Sequence, residues 1–338
     1  MKNAFDLEAY HYPLPKELIA QYPVNPRDHS RLLVVERASE KIFEVPFYEI
    51  ERFLEPDDVL VFNDTKVIPA RLLGKRKGGG KAEIFLCEER VDGTWQAMVK
   101  PAKKLLLGME ITFCEGYVAR VVGIEDEGYR LLAFSRPISD FLSRFGNVPL
   151  PPYIDRSAEE ADVERYQTVY AKYEGALAAP TAGLHFTEAL LDRLKGKGVD
   201  MRFLTLHVGL GTFKPVHTQD IRDHKMHEER FFISKDAARR FRQNGRKIAV
   251  GTTSCRALES ACMDGKIVPG SSRTDIFIYP GYSFQAIDGL LTNFHLPKSS
   301  LLMLVSAFGG YDLICKAYEY AVRNTFRFYS YGDAMLIV

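Results

Sequence analysis

The segment Lys247-Ile-Ala-Val-Gly-Thr-Thr-Ser-Cys-Arg-Ala-Leu-Glu259 reads as a short apolar strand, a turn of small residues and the start of a helix. A strand that runs straight into a helix is the building block of an α/β layer. The pattern recurs on both sides of it. Upstream, Thr187 is placed to cap a helix running to about Leu194, closed by Lys195-Gly-Lys-Gly, and a strand follows over Met201–Val208. Downstream, Thr274-Asp-Ile-Phe-Ile-Tyr-Pro-Gly281 reads as a further strand, and an amphipathic helix spans Asp312 to Asn324. Near the start of the chain, Arg31–Glu36 and Val59–Phe62 have strand character, and the second is apolar throughout, which predicts a central position.

Between Arg71 and Phe134 the texture changes. Short strand-like segments (Ala82–Cys87, Trp95–Val99, Glu110–Phe113, Val118–Ile124, Tyr129–Phe134) alternate with glycine turns. That rhythm predicts a small antiparallel barrel. The stiff connector Val148-Pro-Leu-Pro-Pro-Tyr153 then leads back. The expected fold is a mixed α/β main domain, residues 1–69 and 150–338, with a small antiparallel β-barrel inserted at 70–149.

A length of 338 residues suits two domains. With 45 basic and 44 acidic residues, any nucleic-acid surface must come from local clusters. Two exist: Lys75-Arg76-Lys77-Gly-Gly-Gly-Lys81, and Lys100 with Lys103 and Lys104. The first residues hold no apolar run of signal-peptide length, and Leu301–Phe308 is too short to span a bilayer. Five scattered cysteines without a Cys-x-x-Cys pair argue against disulfides and zinc ribbons. A cytoplasmic protein is the expectation.

The chemistry concentrates in loops. Ala178-Ala-Pro-Thr-Ala-Gly-Leu-His-Phe-Thr187 and Leu206-His-Val-Gly-Leu-Gly-Thr-Phe-Lys-Pro-Val-His217 interleave glycine, threonine and histidine with apolar residues. Asn63-Asp64-Thr65-Lys66 follows the buried strand at 59–62, where α/β sheets place ligands, although an ordinary Asx turn gives the same pattern. The turn after Val250 presents helix-start amides, with Arg256 close by to add charge. It is not a phosphate-binding P-loop, and no Gly-x-Gly-x-x-Gly follows a strand. Histidines crowd between 185 and 227, and His224-x-x-His227 with neighbouring acids raises a metal site. The spacing lacks the His-Glu-x-x-His signature, so no metal is expected. A site for a polar small molecule with histidines and Asp64 as acid–base groups fits better. Two other classes stay open, an RNA-binding protein without activity and a metal-dependent hydrolase using the His207–His227 cluster.

Six stretches carry a resemblance: Phe62-Asn-Asp-Thr-Lys-Val-Ile-Pro-Ala-Arg-Leu72, Ala179-Pro-Thr-Ala-Gly-Leu-His-Phe-Thr187, Leu206-His-Val-Gly-Leu-Gly-Thr-Phe213, Ala249-Val-Gly-Thr-Thr-Ser254, Asn293-Phe-His-Leu-Pro-Lys-Ser299 and Arg327-Phe-Tyr-Ser-Tyr-Gly-Asp-Ala-Met-Leu336. In this order they resemble the S-adenosylmethionine:tRNA ribosyltransferase-isomerases, from Ile19-Ala-Gln-Tyr-Pro23 to the C-terminus. Departures are small: Ala176-Leu where members often have Ser-Val, and Cys255 where valine is common.

The resemblance implies an enzyme of queuosine biosynthesis. Its tRNA substrate has a GUN anticodon carrying 7-aminomethyl-7-deazaguanine at the wobble position. The ribosyl part of S-adenosylmethionine moves to the aminomethyl group and isomerises to an epoxycyclopentanediol, while adenine and methionine leave. The sulfonium acidifies the ribose C5′ protons, so a base is needed, and departing adenine needs a proton donor. The expected acid–base groups are His185, His207, His295 and Asp64. The expected S-adenosylmethionine contacts are Thr181, Gly183, Gly209, Gly211, Thr212, Thr252, Thr253 and Arg256, with Phe294 and Tyr331 as stacking surfaces. The tRNA would meet Lys75, Arg76, Lys77, Lys81, Lys100, Lys103 and Lys104, and the chain would act as a monomer without a metal or a membrane.

Overall fold

The computed structural model describes residues 3–209, 216–241 and 245–338. The chain divides into two compact units.

The larger unit comprises Met1–Lys66, Pro152–Arg156 and Glu164–Val338. It is built on a nine-stranded sheet. Its strand order is Gly270–Thr274, Glu229–Ile233, Asp200–Leu206, Val59–Asn63, Lys247–Val250, Gly289–Asn293, Ala334–Ile337, Arg31–Glu36 and Lys41–Pro46. The four strands Asp200–Leu206, Val59–Asn63, Lys247–Val250 and Gly289–Asn293 are mutually parallel, so all four carboxyl ends meet one edge. Strands on both flanks run antiparallel to them.

Alternation within each strand feeds two cores. Leu33, Val35, Val59, Val61, Ala249 and Leu290 pack against the helices Thr252–Ala261, Ser300–Gly309 and Tyr311–Arg323. Leu32, Val34, Leu60, Phe62, Ile248 and Leu291 face the other way, onto Phe47, Ile50, Leu190 and Leu194. Burial on both faces is why these strands are continuously apolar rather than alternating. Thr187 does cap its helix, Glu188–Gly196, accepting from the Leu190 amide at 3.1 Å. Ser300–Gly309 and Tyr311–Arg323 meet at 116° around Gly310, whose φ of +84° ends the first helix. Among the described residues no single helix is long and apolar enough to cross a membrane.

One expected strand is corrected. The strand is Gly270–Thr274, and residues 275–280 leave the sheet. Thr274 Oγ1 accepts from the Ile276 amide at 3.2 Å, a local turn that replaces the ladder partner.

The smaller unit is Val67–Pro151 with Ser157–Val163. Six strands close into an antiparallel barrel: Arg71–Arg76, Lys81–Glu89, Trp95–Lys100, Glu110–Thr112, Val118–Ile124 and Arg130–Phe134. Leu72, Ile84, Leu86, Ala97, Ile111, Val121 and Leu132 fill its interior. The mixed α/β unit and the closed barrel match the expected fold class.

Candidate active site

Each of the four parallel strands releases a loop at the same sheet edge, where α/β proteins gather ligands. Asn63 stitches two of these ends together. Its amide nitrogen donates to the Leu206 carbonyl and its oxygen accepts from the Leu206 amide, both at 2.9 Å. Asn63 therefore continues the ladder where backbone pairing stops.

A cavity of about 350 Å³ opens at this edge. Its wall is formed by the loop 178–182, the helix start Gly251–Thr253, the segment Thr292–Leu296, and Tyr329 with Ser330, completed by Tyr153 and Tyr166. This size and a largely apolar wall with a few polar groups suit a nucleoside-sized ligand. Tyr153 and Tyr329 stack at 4.3 Å with their planes 20° apart. The Tyr153 hydroxyl is bonded to Ser330 Oγ at 2.6 Å. Among the described residues the Tyr329 hydroxyl and Asn293 Oδ1 are buried without a hydrogen-bond partner.

His295 lines this cavity, and burial lowers its pKa to about 3, so the ring is neutral. Its Nε2 lies 2.7 Å from Thr292 Oγ1, and that hydroxyl donates to the Asn293 carbonyl at 3.2 Å. Thr292 thus holds one nitrogen of a neutral ring, and a neutral imidazole keeps one protonated and one unprotonated nitrogen.

Of the expected contacts, Thr181, Thr252, Thr253, Phe294 and His295 are brought together on this wall. The Phe294 ring itself is fully buried, edge-on to Tyr318 and Phe326, and packs the core. The other expected residues lie elsewhere. His185 and Tyr331 border a smaller opening that shares only Ser330 with the cavity wall. His185 stacks on Phe47 at 4.8 Å, bonds Ser30 Oγ at 2.7 Å, and is driven by burial to a pKa of about 3. Asp64 lies in a separate cleft with Lys172 and Phe232, where Thr205 donates to it at 2.6 Å and burial raises its pKa. His207 occupies a third cleft with Arg230 and Arg273, bonded to Thr65 Oγ1 at 2.8 Å; burial and then Arg230 lower its pKa.

Arg256 is sequestered. It is 3 % exposed and forms a buried ion pair with Glu229, while its Nε donates to the Ile276 carbonyl. The Gly209 amide donates to the same Glu229 at 3.3 Å. Gly183 is needed for packing, since a Cβ there would sit 1.9 Å from the Tyr170 hydroxyl. Gly211 and Thr212 lie outside the described residues. His224 meets Phe277 edge-on at 5.1 Å, and among the described residues no group of three or more His, Cys, Asp or Glu side chains is placed to hold a metal.

The cavity residues given no role by sequence reasoning include Tyr153, Tyr166, Asn293 and Tyr329. Asn293 and Tyr329 stood inside quoted motifs, so their signal was available. Tyr153 looked like the end of a proline-rich connector.

Within the barrel, strand register gathers the basic residues. Lys75 pairs directly with Lys81, and Lys100 pairs with Glu83, which in turn faces Leu73. By strand alternation all of these point outward from one barrel face. Lys77, Lys103 and Lys104 are exposed, and Arg76 folds back to donate to the Lys81 carbonyl at 3.3 Å.

Three comparisons bear on identity. The family model described as Queuosine biosynthesis protein matches residues 7–337. S-adenosylmethionine:tRNA ribosyltransferase-isomerase of Trichlorobacter lovleyi is 51% identical over 98% of this chain and 99% of its own length. The protein of the same name from Symbiobacterium thermophilum is 53% identical over 98% and 99% respectively. A crystal structure of S-adenosylmethionine tRNA ribosyltransferase from Thermotoga maritima is 37% identical, covers 99% of this chain and 100% of its own, and aligns with a TM-score of 0.55. End-to-end identity on this scale, on a fold with its cavity at the parallel-strand edge, decides the matter: the chain belongs to the queuosine biosynthesis protein family.

Proposed function

We propose that this protein is an S-adenosylmethionine:tRNA ribosyltransferase-isomerase. It moves the ribosyl group of S-adenosylmethionine onto 7-aminomethyl-7-deazaguanine at the wobble position of tRNA and isomerises it, releasing adenine and methionine. The observation that carries this reading is the identity of about half of all residues to proteins of that name across 98% of the chain. The acting species in this reading is a cytoplasmic monomer, and the RNA is a tRNA with a GUN anticodon.

The cavity supports the reading chemically. The Tyr153–Tyr329 pair offers an aromatic wall for adenine. Thr252 and Thr253, with the helix-start amides, suit ribose hydroxyls. His295 is the proposed base: its ring is neutral and keeps an unprotonated nitrogen at any physiological pH, although its proton affinity is low. Asp64, His207 and His185 then act on the loops that shape the site rather than on the reacting atoms. In the barrel, Lys75 directly opposite Lys81 is a repulsive cross-strand pair. An anionic partner relieves that repulsion, and we assign this face to tRNA phosphates.

The test is to incubate the protein with S-adenosylmethionine and an anticodon stem-loop carrying the aminomethyl base. Equimolar adenine and methionine should appear, with an epoxycyclopentanediol nucleoside in the RNA by mass spectrometry. No adenine release would sink the proposal. Solvent exchange at C5′ of the cofactor should vanish in His295→Gln and persist in His207→Gln if His295 is the base.

A further inference from the structure

A second opening lies beside the main cavity, and Ser330 lines both. Its volume is about 20 Å³, far too small for a nucleoside. Arg27 and Arg165 both line it, next to Ser30 and Tyr331. Among the described residues neither arginine pairs with a carboxylate. Arg27 Nη1 donates to the Gln167 carbonyl at 2.8 Å, and Arg165 donates to the Asn25 side chain at 3.2 Å and to the Val24 carbonyl. Arg165 Nε is buried, with no acceptor among the described residues.

Two half-buried guanidiniums facing one small opening repel each other. Burial, then Arg165, lowers the pKa of Arg27, while the exposed Glu164 opposes this without forming an ion pair. Nothing else on the wall supplies negative charge, and His185 there is neutral. An anion would relieve the repulsion. The guanidinium fork matches the two oxygens of a carboxylate or phosphate. The arginine that sequence reasoning assigned to the substrate carboxylate, Arg256, is already occupied by Glu229.

We propose that Arg27 and Arg165 form an anion subsite next to the main cavity, taking one carboxylate or phosphate group, with the α-carboxylate of the sulfonium substrate as the ligand its location fits. The inference rests on the reaction proposed above and adds the residues that hold the amino-acid end of the donor.

The experiment is calorimetric titration of wild type, Arg27→Gln and Arg165→Gln with three probes. These are S-adenosylmethionine, 5′-methylthioadenosine (which keeps the nucleoside and lacks the carboxylate) and the anticodon stem-loop. Each variant should bind S-adenosylmethionine roughly 10–100-fold more weakly, from the loss of a charged hydrogen bond, with methylthioadenosine unchanged. Arg27→Lys, which keeps the charge, should recover part of the loss, and thermal melts separate binding from folding. Weaker stem-loop binding with a shallower salt slope, and unchanged S-adenosylmethionine affinity, would identify the anion as an RNA phosphate. Unchanged binding of all three probes in both glutamine variants overturns the subsite. Wild type that binds neither S-adenosylmethionine nor the stem-loop overturns the reaction reading, and the subsite with it.

Discussion

Tyr329 combines a left-handed backbone, φ +71°, with 5 % exposure and a hydroxyl that has no partner among the described residues. The positive φ and the unsatisfied hydroxyl each oppose folding by roughly 1–3 kcal/mol, and such strain collects at ligand sites. Tyr329→Phe should therefore melt at the wild-type temperature or slightly above it. If the hydroxyl meets the substrate, affinity for S-adenosylmethionine should drop about tenfold, the worth of one hydrogen bond; an unchanged titration would make Tyr329 purely an aromatic wall. His185 and His295 give a second prediction at this scale. Both have folded pKa values near 3, pushed down by burial from 6.5. Below pH 6.5 the unfolded chain takes up protons that the folded one refuses, so stability falls as pH falls and is flat above neutrality. Denaturant titrations between pH 6.5 and 5 should show a slope that steepens from about 0.7 towards about 1.4 kcal/mol per pH unit for each histidine. Replacing one of them with glutamine should remove that histidine's share, while His207 and His224, whose pKa values burial also lowers, keep contributing. The raised pKa values of Asp64 and Asp333 act in the opposite direction at lower pH, which confines the clean window to this range.

The helix Thr252–Ala261 shows how far local sequence reaches. Its start was legible because an apolar strand, a glycine and hydroxyl residues follow one another, and Gly251 has the φ of +93° that favours glycine. The fate of Arg256 was not legible. Its partner Glu229 stands 27 residues earlier, on a strand of the same sheet, and no spacing rule connects the two. Arg256→Met should cost about 3–5 kcal/mol by leaving the buried Glu229 carboxylate without its arginine. The double variant with Glu229→Gln should regain part of it, both read by chemical denaturation. Direct participation of Arg256 in binding would instead show as lost S-adenosylmethionine affinity without a loss of stability. The strand at 270–274 illustrates the converse: the sequence after Thr274 is as apolar as a strand, but one side-chain hydrogen bond diverts it.

Across the whole molecule, the two units carry separable expectations. The barrel's Lys75 and Lys81 share one outward face by register, so Lys75→Ala with Lys81→Ala should weaken tRNA binding. The slope of log affinity against log salt should shrink by about 1.5, the release of two counterions. S-adenosylmethionine affinity should not change, and an unaltered salt slope would remove this face from the tRNA surface. The sequence by itself determined the family, the α/β layer, the barrel and most element positions. These follow from hydrophobic period, turn chemistry and long motifs, all of which are local. It also supplied every residue of the cavity wall, but not their grouping. Parallel pairing brings Thr253 and His295 onto one wall while leaving Asp64 and His207 in clefts of their own on the same edge. Which loops share a cavity depends on strand order and on contacts such as Asn63 to Leu206, made across 143 residues. Only the tertiary structure decides that, because side chains equally suited to proton transfer are told apart by what packs against them.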